Sequence, residues 1–258
     1  MSQNRKPLIC IKIGGKPAAN DNTILSLAKE IKNLSSSYNF IFVHGGGAEV
    51  TAAAKQFGIE AQFVNGKRIT TPNEMKIVDA VLCGKINKQI VRQFQQMGIN
   101  GVGLSGSDGA TFTGAALDSS TRTGEIKKVN TKLLELLVVN EFLPIIATTS
   151  ISTQDFLGLN INADDAALAI ACALKAHKLI FISDIEGVLK DGNVIPTLNE
   201  SAIKNEIEAG IICGGMIPKV SASLEAVKNG TKAVVIGTYH SEGDLQNLLN
   251  QKMGTIIV

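Results

Sequence analysis

The sequence predicts an α/β fold with a mainly parallel sheet. Short β-rich runs alternate with helical patterns along 258 residues, which is typical of parallel strands joined by crossover helices. Hydrophobic residues make up 45% of the chain and charged residues 19%, so a sizeable core is available. We find no internal repeat and no low-complexity linker, and one continuous pattern runs through both halves.

The strands are predicted where β-forming residues cluster between turn signals. An Asn-Gly pair at Asn65 and Gly66, placed between β-formers, predicts a hairpin over residues 63–70. A second hairpin is predicted in the Thr/Gly-rich segment that follows residue 107. The main strands are expected at residues 8–13, 39–44, 100–104, 143–148, 178–183, 233–236 and 255–258.

The helices are predicted from apolar residues at helical spacing and from capping residues. Asn22 is expected to cap the first helix, and Asn162 to cap an alanine-rich helix over residues 163–175. Pro72 opens a long helical pattern over residues 73–97. Further helices are expected at residues 48–57, 131–139, 200–209 and 217–229.

The composition argues against nucleic-acid and membrane partners. There are 25 basic and 23 acidic residues, a formal net charge of +2, and no basic tract stands out. Aromatic residues make up only 4%, which disfavours stacking on single-stranded nucleic acid. The longest apolar run, residues 166–174, is too short to cross a bilayer.

The cysteines and the first residues indicate a cytoplasmic protein. The apolar run near the start breaks at Lys12, too soon for a signal peptide. Free thiols in a reducing compartment are favoured over disulfides, because no C-x-x-C pair occurs. The four cysteines lie far apart in the sequence, at Cys10, Cys83, Cys172 and Cys213.

Two glycine-rich turns follow the first two strands, at Gly14–Gly15 and at Gly45–Gly47. Glycine lets backbone N–H groups converge, and such amides at a helix start bind phosphate oxygens. One glycine suffices for a tight turn, so three in a row favour close approach to a ligand. No G-x-x-x-x-G-K-[ST] string occurs. The G-x-G-x-x-G string at residues 101–106 precedes a turn rather than a helix, which disfavours dinucleotide binding.

Two lysines from distant parts of the chain could neutralise charge on a transferring phosphoryl group. Lys12 lies inside an apolar strand; the alternative is an edge-strand lysine that faces water. Lys219 lies in the first turn of a helix, where a cation opposes the helix dipole. Asp164 could bridge the two ammonium groups, with Asp165 as the rival for that role.

Polar residues near these turns could bind the rest of a ligand. Arg68 leaves the predicted hairpin and suits a bidentate grip on a carboxylate. Asn160 is free to meet a ligand if Asn162 caps the helix. His44 is favoured as a structural hydrogen-bonding residue over a base, and the direction of Lys16 is left open.

Taken together, these residues resemble the amino acid kinase family, and within it the enzymes that phosphorylate the side-chain carboxylate of N-acetyl-L-glutamate. The Lys-x-Gly-Gly start is only moderately specific. A more specific signal comes from three segments together: the hairpin, the Asn-x-Asn-Ala-Asp string and the Gly-Gly-Met-Ile-Pro-Lys string. The matching segments are residues 12–15, 43–47, 65–70, 84–88, 101–106, 160–164, 183–188, 214–220 and 253–255.

The resemblance implies a three-layer αβα sandwich with an open, mainly parallel sheet. Residues 1–158 would bind the amino acid and residues 159–258 would bind ATP. Lys12 and Lys219 would stabilise the transferring phosphoryl group, and Asp164 would organise the two lysines. Because the acceptor carboxylate is already ionised at neutral pH, with a pKa of ~4.3, no general base is needed.

The resemblance also implies the remaining site residues. Arg68 and Asn160 would hold the α-carboxylate of the acceptor, with Gly46 and Gly47 also on the acceptor side. Mg²⁺ would be held mainly by ATP phosphates and water, so few protein ligands are expected. The residues implied on the phosphate and nucleotide side are Gly14, Gly15, Gly45, Ser183, Asp184, Gly187 and Val188.

Two departures from the family pattern leave the acceptor open. Ser107 stands where many relatives carry lysine, and residues 148–150 replace a more usual stretch after the strand. A sister kinase that acts on acetylated or carrier-bound aminoadipate is one alternative. A catalytically silent homologue that regulates a partner is another, although both lysines are present.

We also expect a homodimer. In the family, arginine-inhibited members carry an extra N-terminal helix, whereas only seven residues, Met1 to Pro7, precede the first strand here. We therefore expect little inhibition by arginine. The dimer contact is expected on the apolar face of the long helix, at Ile77, Val81, Ile86 and Ile90.

Overall fold

Helices cover both faces of an eight-stranded sheet in the computed structural model of the chain, which describes residues 6–64 and 66–258. Asn65 of the predicted hairpin and most of the segment before the first strand lie outside the described residues. Within them the strands are β1 (Leu8–Ile13), β2 (Asn39–His44), β3 (Gln62–Val64), β4 (Lys67–Ile69), β5 (Gly101–Leu104), β6 (Phe112–Ala116), β7 (Thr123–Val129), β8 (Leu143–Ala147), β9 (Thr149–Ser152), β10 (Gly158–Ile161), β11 (Lys178–Ile182), β12 (Leu189–Lys190), β13 (Asn193–Val194), β14 (Thr197–Leu198), β15 (Val234–Gly237) and β16 (Thr255–Ile257).

The described helices are numbered in the same way. A π-helical stretch, Ala80–Ile86, joins α4 to α5, and a 3₁₀ turn spans Asp108–Ala110. None of the helices in these parts of the chain is both long and apolar enough to cross a membrane. The helices are α1 (Gly15–Ala18), α2 (Asp21–Leu34), α3 (Gly47–Gln56), α4 (Pro72–Asp79), α5 (Asn87–Gln96), α6 (Lys132–Val139), α7 (Ala163–Ala173), α8 (Glu200–Glu208), α9 (Met216–Lys228) and α10 (Asp244–Leu249).

The main sheet has the strand order β14-β16-β15-β11-β1-β2-β8-β5. All of its pairings are parallel except that of β15 with β16. The chain builds outward from β1 on one side first, through β2, and later on the other side, through β11. The carboxyl end of β1 is therefore a topological switch point, where open α/β sheets leave a crevice for ligands.

The alternation along β1 separates the two helical layers. Ile9, Ile11 and Ile13 are buried against α2, α5 and α10 on one face. Cys10 points to the opposite face, where α7 and α9 pack. The expected αβα sandwich is confirmed. Lys12 lies two residues after Cys10 in β1, so its side chain points to the same face, into the layer of α7 and α9.

A small closed barrel of β6, β7, β9 and β10 stands beside the sheet. The antiparallel pairing of β6 with β7 confirms the hairpin predicted after residue 107. Strands β9 and β10 were missed by the sequence reasoning because they are four residues long and carry few strong β-formers. The barrel closes only through their tertiary pairing.

Two local expectations need correction. Asn20, not Asn22, caps α2, because its side chain accepts hydrogen bonds from the amides of Asn22 and Thr23. The long helical pattern over residues 73–97 is present but contains the π-helical stretch. Helix α10 was not predicted from sequence.

The apolar face of the long helix is not free for a partner. Val81 and Ile90 are buried within the chain, with exposures of 8% and 2%. Ile77 and Ile86 are half-buried against the same hydrophobic clusters. Much of the face predicted for the dimer contact therefore already packs within the chain, and the dimer itself stays a prediction.

Helix α10 is anchored by a buried carboxylate. Glu30 accepts hydrogen bonds from the amides of Gly243, Leu245 and Gln246 at 3.1, 3.4 and 2.7 Å. Its residue exposure is only 4%. These amides open a helix, where no intrahelical carbonyl is available to them.

We predict that Glu30→Ala lowers the free energy of unfolding by about 2 kcal/mol or more, because three amides lose their acceptor. Glu242→Ala is the control: it removes an exposed ion pair between Lys29 of α2 and the turn before α10, and it should change stability little. Urea unfolding of both variants measures the difference. Equal stabilities for the two variants would contradict the anchoring role of Glu30.

Candidate active site

Two lysines and one aspartate meet at the carboxyl end of β1. Lys12 Nζ lies 2.7 Å from one carboxylate oxygen of Asp164, and Lys219 Nζ lies 3.4 Å from the other. Lys219 Nζ also lies 5.2 Å from the ring centroid of Phe181. The structure thus brings together three residues that are far apart in sequence, as the sequence predicted.

Lys12 is not an edge-strand lysine. Strand β1 pairs with β2 on one side and β11 on the other, and Lys12 stands opposite Val43 and Phe181. Only 11% of its side chain is exposed. An ammonium group in this place needs a nearby anion, because burial disfavours an isolated charge. Asp164 supplies that anion from the first turn of α7.

The electrostatics of Asp164 follow from its surroundings. Burial alone would raise the pKa of this carboxyl, but the charges of Lys12 and Lys219 outweigh burial and hold the pKa below its usual value. Asp164 therefore stays ionised between the two ammonium groups and offsets their mutual repulsion. Its position in the first turn of α7 is also favourable for an anion.

The rival carboxylate has a different partner. Asp165 lies 2.7 Å from Lys67 Nζ, on the return strand of the β3–β4 hairpin. Asn162 caps α7, as predicted, by accepting from the amides of both aspartates. The choice between Asp164 and Asp165 that the sequence left open is resolved: Asp164 is the residue between the lysines.

The first glycine turn makes room for charged side chains. A Cβ on Gly14 would collide with Lys12 Nζ, and a Cβ on Gly15 would lie 2.5 Å from the Asp184 carboxylate. Gly15 has a φ of +64°, which favours glycine. The Gly14 amide donates to Ile182 O at 3.1 Å, so its backbone N–H is already used inside the protein.

The second glycine turn opens α3. Gly46 is its N-cap and Gly47 its first residue, so both amides lie among those without an intrahelical acceptor. A Cβ on Gly46 would collide with Ile86 of the π-helical stretch, whereas nothing lies within 4 Å of one on Gly47. The turn therefore packs tightly on one side and faces open space on the other.

The side chain of His44 holds this turn through hydrogen bonds. Its Nδ1 donates to Gly45 O at 2.9 Å, and its Nε2 lies 3.0 Å from Asn87 Nδ2, which donates to it. Burial lowers the pKa of His44 to about 4, despite the bond to Gly45, and the charge of Lys88 lowers it further. The ring is neutral at neutral pH, which matches the expected structural role.

Arg68 is buried under the hairpin. One of its amino groups, Nη1, lies 3.0 Å from Glu74 Oε1, and the other, Nη2, donates to Gly47 O at 2.9 Å and to Thr51 Oγ1 at 2.5 Å. These bonds use three of the five guanidinium N–H groups. The sequence did not anticipate these internal partners.

A cavity of about 210 Å³ extends from Lys12 to the hairpin. Two larger cavities, of about 370 and 400 Å³, lie where the strands begin, and another, of about 510 Å³, lies between residues 186–196 and 240–254. The 210 Å³ cavity is lined by both glycine turns, by Lys12, Lys67, Arg68 and Asn160, and by the apolar side chains of Val50, Phe63 and Leu82. A small anionic ligand suits such a lining.

Asn160 belongs to a polar network at the base of the hairpin. Its side chain donates to Thr70 Oγ1 at 2.8 Å, and the Thr70 amide donates to Thr123 Oγ1 at 2.9 Å. Thr123 in turn donates to Arg68 O. These threonines were missed by sequence reasoning, since nothing in their local sequence separates them from ordinary strand residues.

Gly14, Gly15 and Gly45 of the predicted phosphate and nucleotide side line this cavity, whereas the other four residues, Ser183, Asp184, Gly187 and Val188, lie outside it, after β11. Ser183 and Asp184 follow the strand end, and Asp184 accepts from the Lys16 amide at 2.8 Å. Gly187 packs against Thr255, where a Cβ would lie 2.7 Å from Oγ1. Val188 is 2% exposed and its amide donates to Thr255 Oγ1, so neither its side chain nor its N–H is available to a ligand.

The departures from the family pattern have structural roles. Ser107 is exposed beside the 3₁₀ turn, whose Asp108 accepts from Ser105. Thr148 lines the cavity, whereas Ser150 donates to Phe112 O inside the barrel at 2.6 Å. Thr148 is therefore the departure that faces the candidate site.

Comparisons with known proteins place this geometry among kinases. The model of the amino acid kinase family matches residues 7–237. An acetylglutamate kinase of Endomicrobium trichonymphae is 38% identical over 89% of this chain and 92% of its own length. One of Bacillus cereus is 36% identical over 96% of each chain. The crystal structure of smu.665 from Streptococcus mutans UA159 has a TM-score of 0.81 and 28% identity, and covers 97% of this chain and 98% of that one.

We predict that His44 makes stability depend on pH. The unfolded chain takes up the proton near pH 6.5, whereas the folded chain does so only near pH 4. The free energy of unfolding should therefore fall as pH drops from 6.5 towards 4, by on the order of 3 kcal/mol from this residue. Urea unfolding between pH 4 and 8 measures this slope.

The slope is assigned by comparison of two variants. His44→Gln should flatten it, whereas His240→Gln, on an exposed loop, should keep the slope of the original chain. A slope that survives in His44→Gln would show that other groups cause it.

Proposed function

Because the chain belongs to the amino acid kinase family, we propose that it transfers the γ-phosphoryl group of ATP to the side-chain carboxylate of N-acetyl-L-glutamate, in arginine biosynthesis. The observation that carries this proposal is the Lys12–Asp164–Lys219 cluster beside two glycine turns. The names of the relatives reported above support the acceptor.

The proposed reaction needs charge stabilisation rather than proton transfer. An oxygen of the ionised acceptor carboxylate attacks the γ-phosphorus, and the bond from this phosphorus to the β,γ-bridging oxygen breaks. The products are an acyl phosphate and ADP. Lys12 and Lys219 offset the negative charge that the phosphoryl oxygens carry as the group passes between acceptor and ADP.

The remaining residues orient the two substrates. The amides at the start of α3 suit the oxygens of the reacting groups, and Arg68 and Asn160 suit the α-carboxylate of the acceptor. The apolar part of the cavity wall, which includes Val50 and Leu82, gives a short acyl chain a place away from water. We place the ATP-binding site beside the segment that follows β11, near Ser183 and Asp184.

Mg²⁺ would accompany ATP. Across residues 6–64 and 66–258, no three His, Cys, Asp or Glu side chains group as metal ligands. We propose that the ion is held mainly by phosphates and water, with Asp184 able to supply one oxygen ligand. When bound, it would neutralise part of the negative charge of the ATP phosphates.

The homodimer remains a proposal. Leu136, Val139 and Phe142, on α6 and just after it, are exposed apolar side chains that a second copy could cover. Light scattering of the purified chain measures the number of copies.

We predict that the purified chain, given MgATP and N-acetylglutamate, forms an acyl phosphate that hydroxylamine converts to a hydroxamate. Glutamate, acetylaminoadipate and carbamate serve as competing acceptors. The largest kcat/KM is expected for acetylglutamate. Folded protein that forms no hydroxamate above background, or that prefers acetylaminoadipate, would reject the proposed acceptor.

We predict that one variant lowers mainly kcat and another raises mainly the KM for the acceptor. Lys219→Ala should lower kcat by about 100-fold or more, because it removes charge that matters most in the transition state. Arg68→Lys should mainly raise the KM for acetylglutamate, by about tenfold, because lysine cannot reproduce the planar guanidinium. Steady-state kinetics measure both effects.

Lys228→Ala is the control for Lys219. It lies at the other end of α9, pairs with Glu200 on the surface, and should leave both constants unchanged. An unchanged KM in Arg68→Lys would remove Arg68 from the acceptor site.

A further inference from the structure

A buried ion pair lies beneath the hairpin, behind the residue that we assign to the acceptor. Arg68 is 7% exposed and Glu74 is 1% exposed. Their nearest charged atoms, Arg68 Nη1 and Glu74 Oε1, lie 3.0 Å apart. Removal of either partner would leave a buried charge without compensation, which is costly. The pair is therefore a fixed part of the site.

The guanidinium is held on several sides at once. Its second amino group donates to Gly47 O and to Thr51 Oγ1, and Thr51 itself donates to Gly47 O at 2.8 Å. The ring of Phe63 covers one face, with its centroid 4.8 Å from Cζ. Only the N–H groups outside these contacts can receive a ligand, and Arg68 lines the cavity.

The position of Glu74 is set by the start of α4. Thr71 caps this helix, since its hydroxyl accepts from the Glu74 amide at 3.2 Å, and Pro72 occupies the first turn. The sequence Thr-x-x-Glu is the pattern of a capping box, in which the glutamate side chain normally returns to the N-cap amide. Here the carboxylate binds Arg68 instead.

We propose that Glu74 is a positioning residue for acceptor binding. It fixes Arg68 so that the remaining guanidinium N–H groups face the cavity before the acceptor arrives. A donor that is already ordered loses less conformational entropy when its ligand binds. This inference rests on the proposed function, because Arg68 is assigned there to the acceptor carboxylate.

Glu74 has a second effect, and the experiment must separate the two. It cancels the formal charge of Arg68, which by itself would weaken the attraction of an anionic acceptor. Positioning depends on the reach of the side chain, whereas charge cancellation depends on its ionisation. Glu74→Asp keeps the charge and shortens the reach; Glu74→Gln keeps the reach and removes the charge.

Steady-state kinetics of both variants test the inference. Glu74→Asp should raise the KM for acetylglutamate by about fivefold or more, with kcat and the KM for ATP changed by less than about twofold. Glu74→Gln should stay within about threefold of the original KM, because its amide oxygen can still accept from Arg68 Nη1. Glu30→Asp makes the same truncation at another buried glutamate and should leave this KM unchanged while lowering the melting temperature.

The outcomes are distinguishable. An unchanged KM in Glu74→Asp, or a KM that falls in Glu74→Gln, overturns the positioning role and leaves charge cancellation as the main effect. A rise in KM for Glu30→Asp equal to that for Glu74→Asp would also overturn it, since general loss of stability would then explain both. If the original chain forms no acyl phosphate, the proposed function fails and this inference fails with it.

Discussion

The ion triad of Lys12, Asp164 and Lys219 is the constraint on which the rest of the site depends. An interior strand cannot carry a lysine into the packed layer between sheet and helices without a counter-charge. Asp164 supplies it, and because one carboxylate serves two ammonium groups, α7 and α9 must both bring their first turns to the carboxyl end of β1. The placement is unfavourable for Lys219 with respect to its helix dipole and favourable for Asp164. The two lysines can lie close together here because the negative charge of Asp164, itself favoured by the dipole of α7, offsets their repulsion and the unfavourable dipole of α9.

The glycine turns follow from the same constraint. Strand β1 ends at the switch point of the sheet, and a side chain at Gly14 would occupy the position that the Lys12 ammonium group takes. A side chain at Gly46 would strike the π-helical stretch that closes the other side. The His44 ring, held neutral by burial, fixes Gly45 without adding charge near the lysines. The turns are therefore shaped as much by the charged and bulky groups around them as by any phosphate that they would bind.

Local signals in the sequence were enough to predict the main strands, the glycine turns and the Asn162 cap. They could not choose between Asp164 and Asp165, because neighbouring residues of one helical turn point in different directions and only the packing of α7 on β1 selects one. The family resemblance implied Val188 on the nucleotide side, but neither it nor local signals could show that the Val188 amide donates to Thr255 Oγ1, a contact between residues far apart in sequence. Two of the four barrel strands, β9 and β10, were missed for a similar reason, because they become strands through their partners rather than through their own composition. Glu74 left a local signal, the Thr-x-x-Glu pattern, but that pattern alone indicates a helix start and not a partner for Arg68.

The formal charges of the site are unevenly distributed, and this division suits the proposed chemistry. Around the acceptor end of the cavity the charges cancel in pairs, Arg68 with Glu74 and Lys67 with Asp165. At the end of β1 two lysines share one carboxylate, so one positive charge remains in excess. An anionic acceptor would thus be oriented by hydrogen bonds and shape at one end of the cavity, while the unbalanced charge lies at the other end. Positive charge placed where negative charge must be carried during transfer favours the transition state more than the bound substrates.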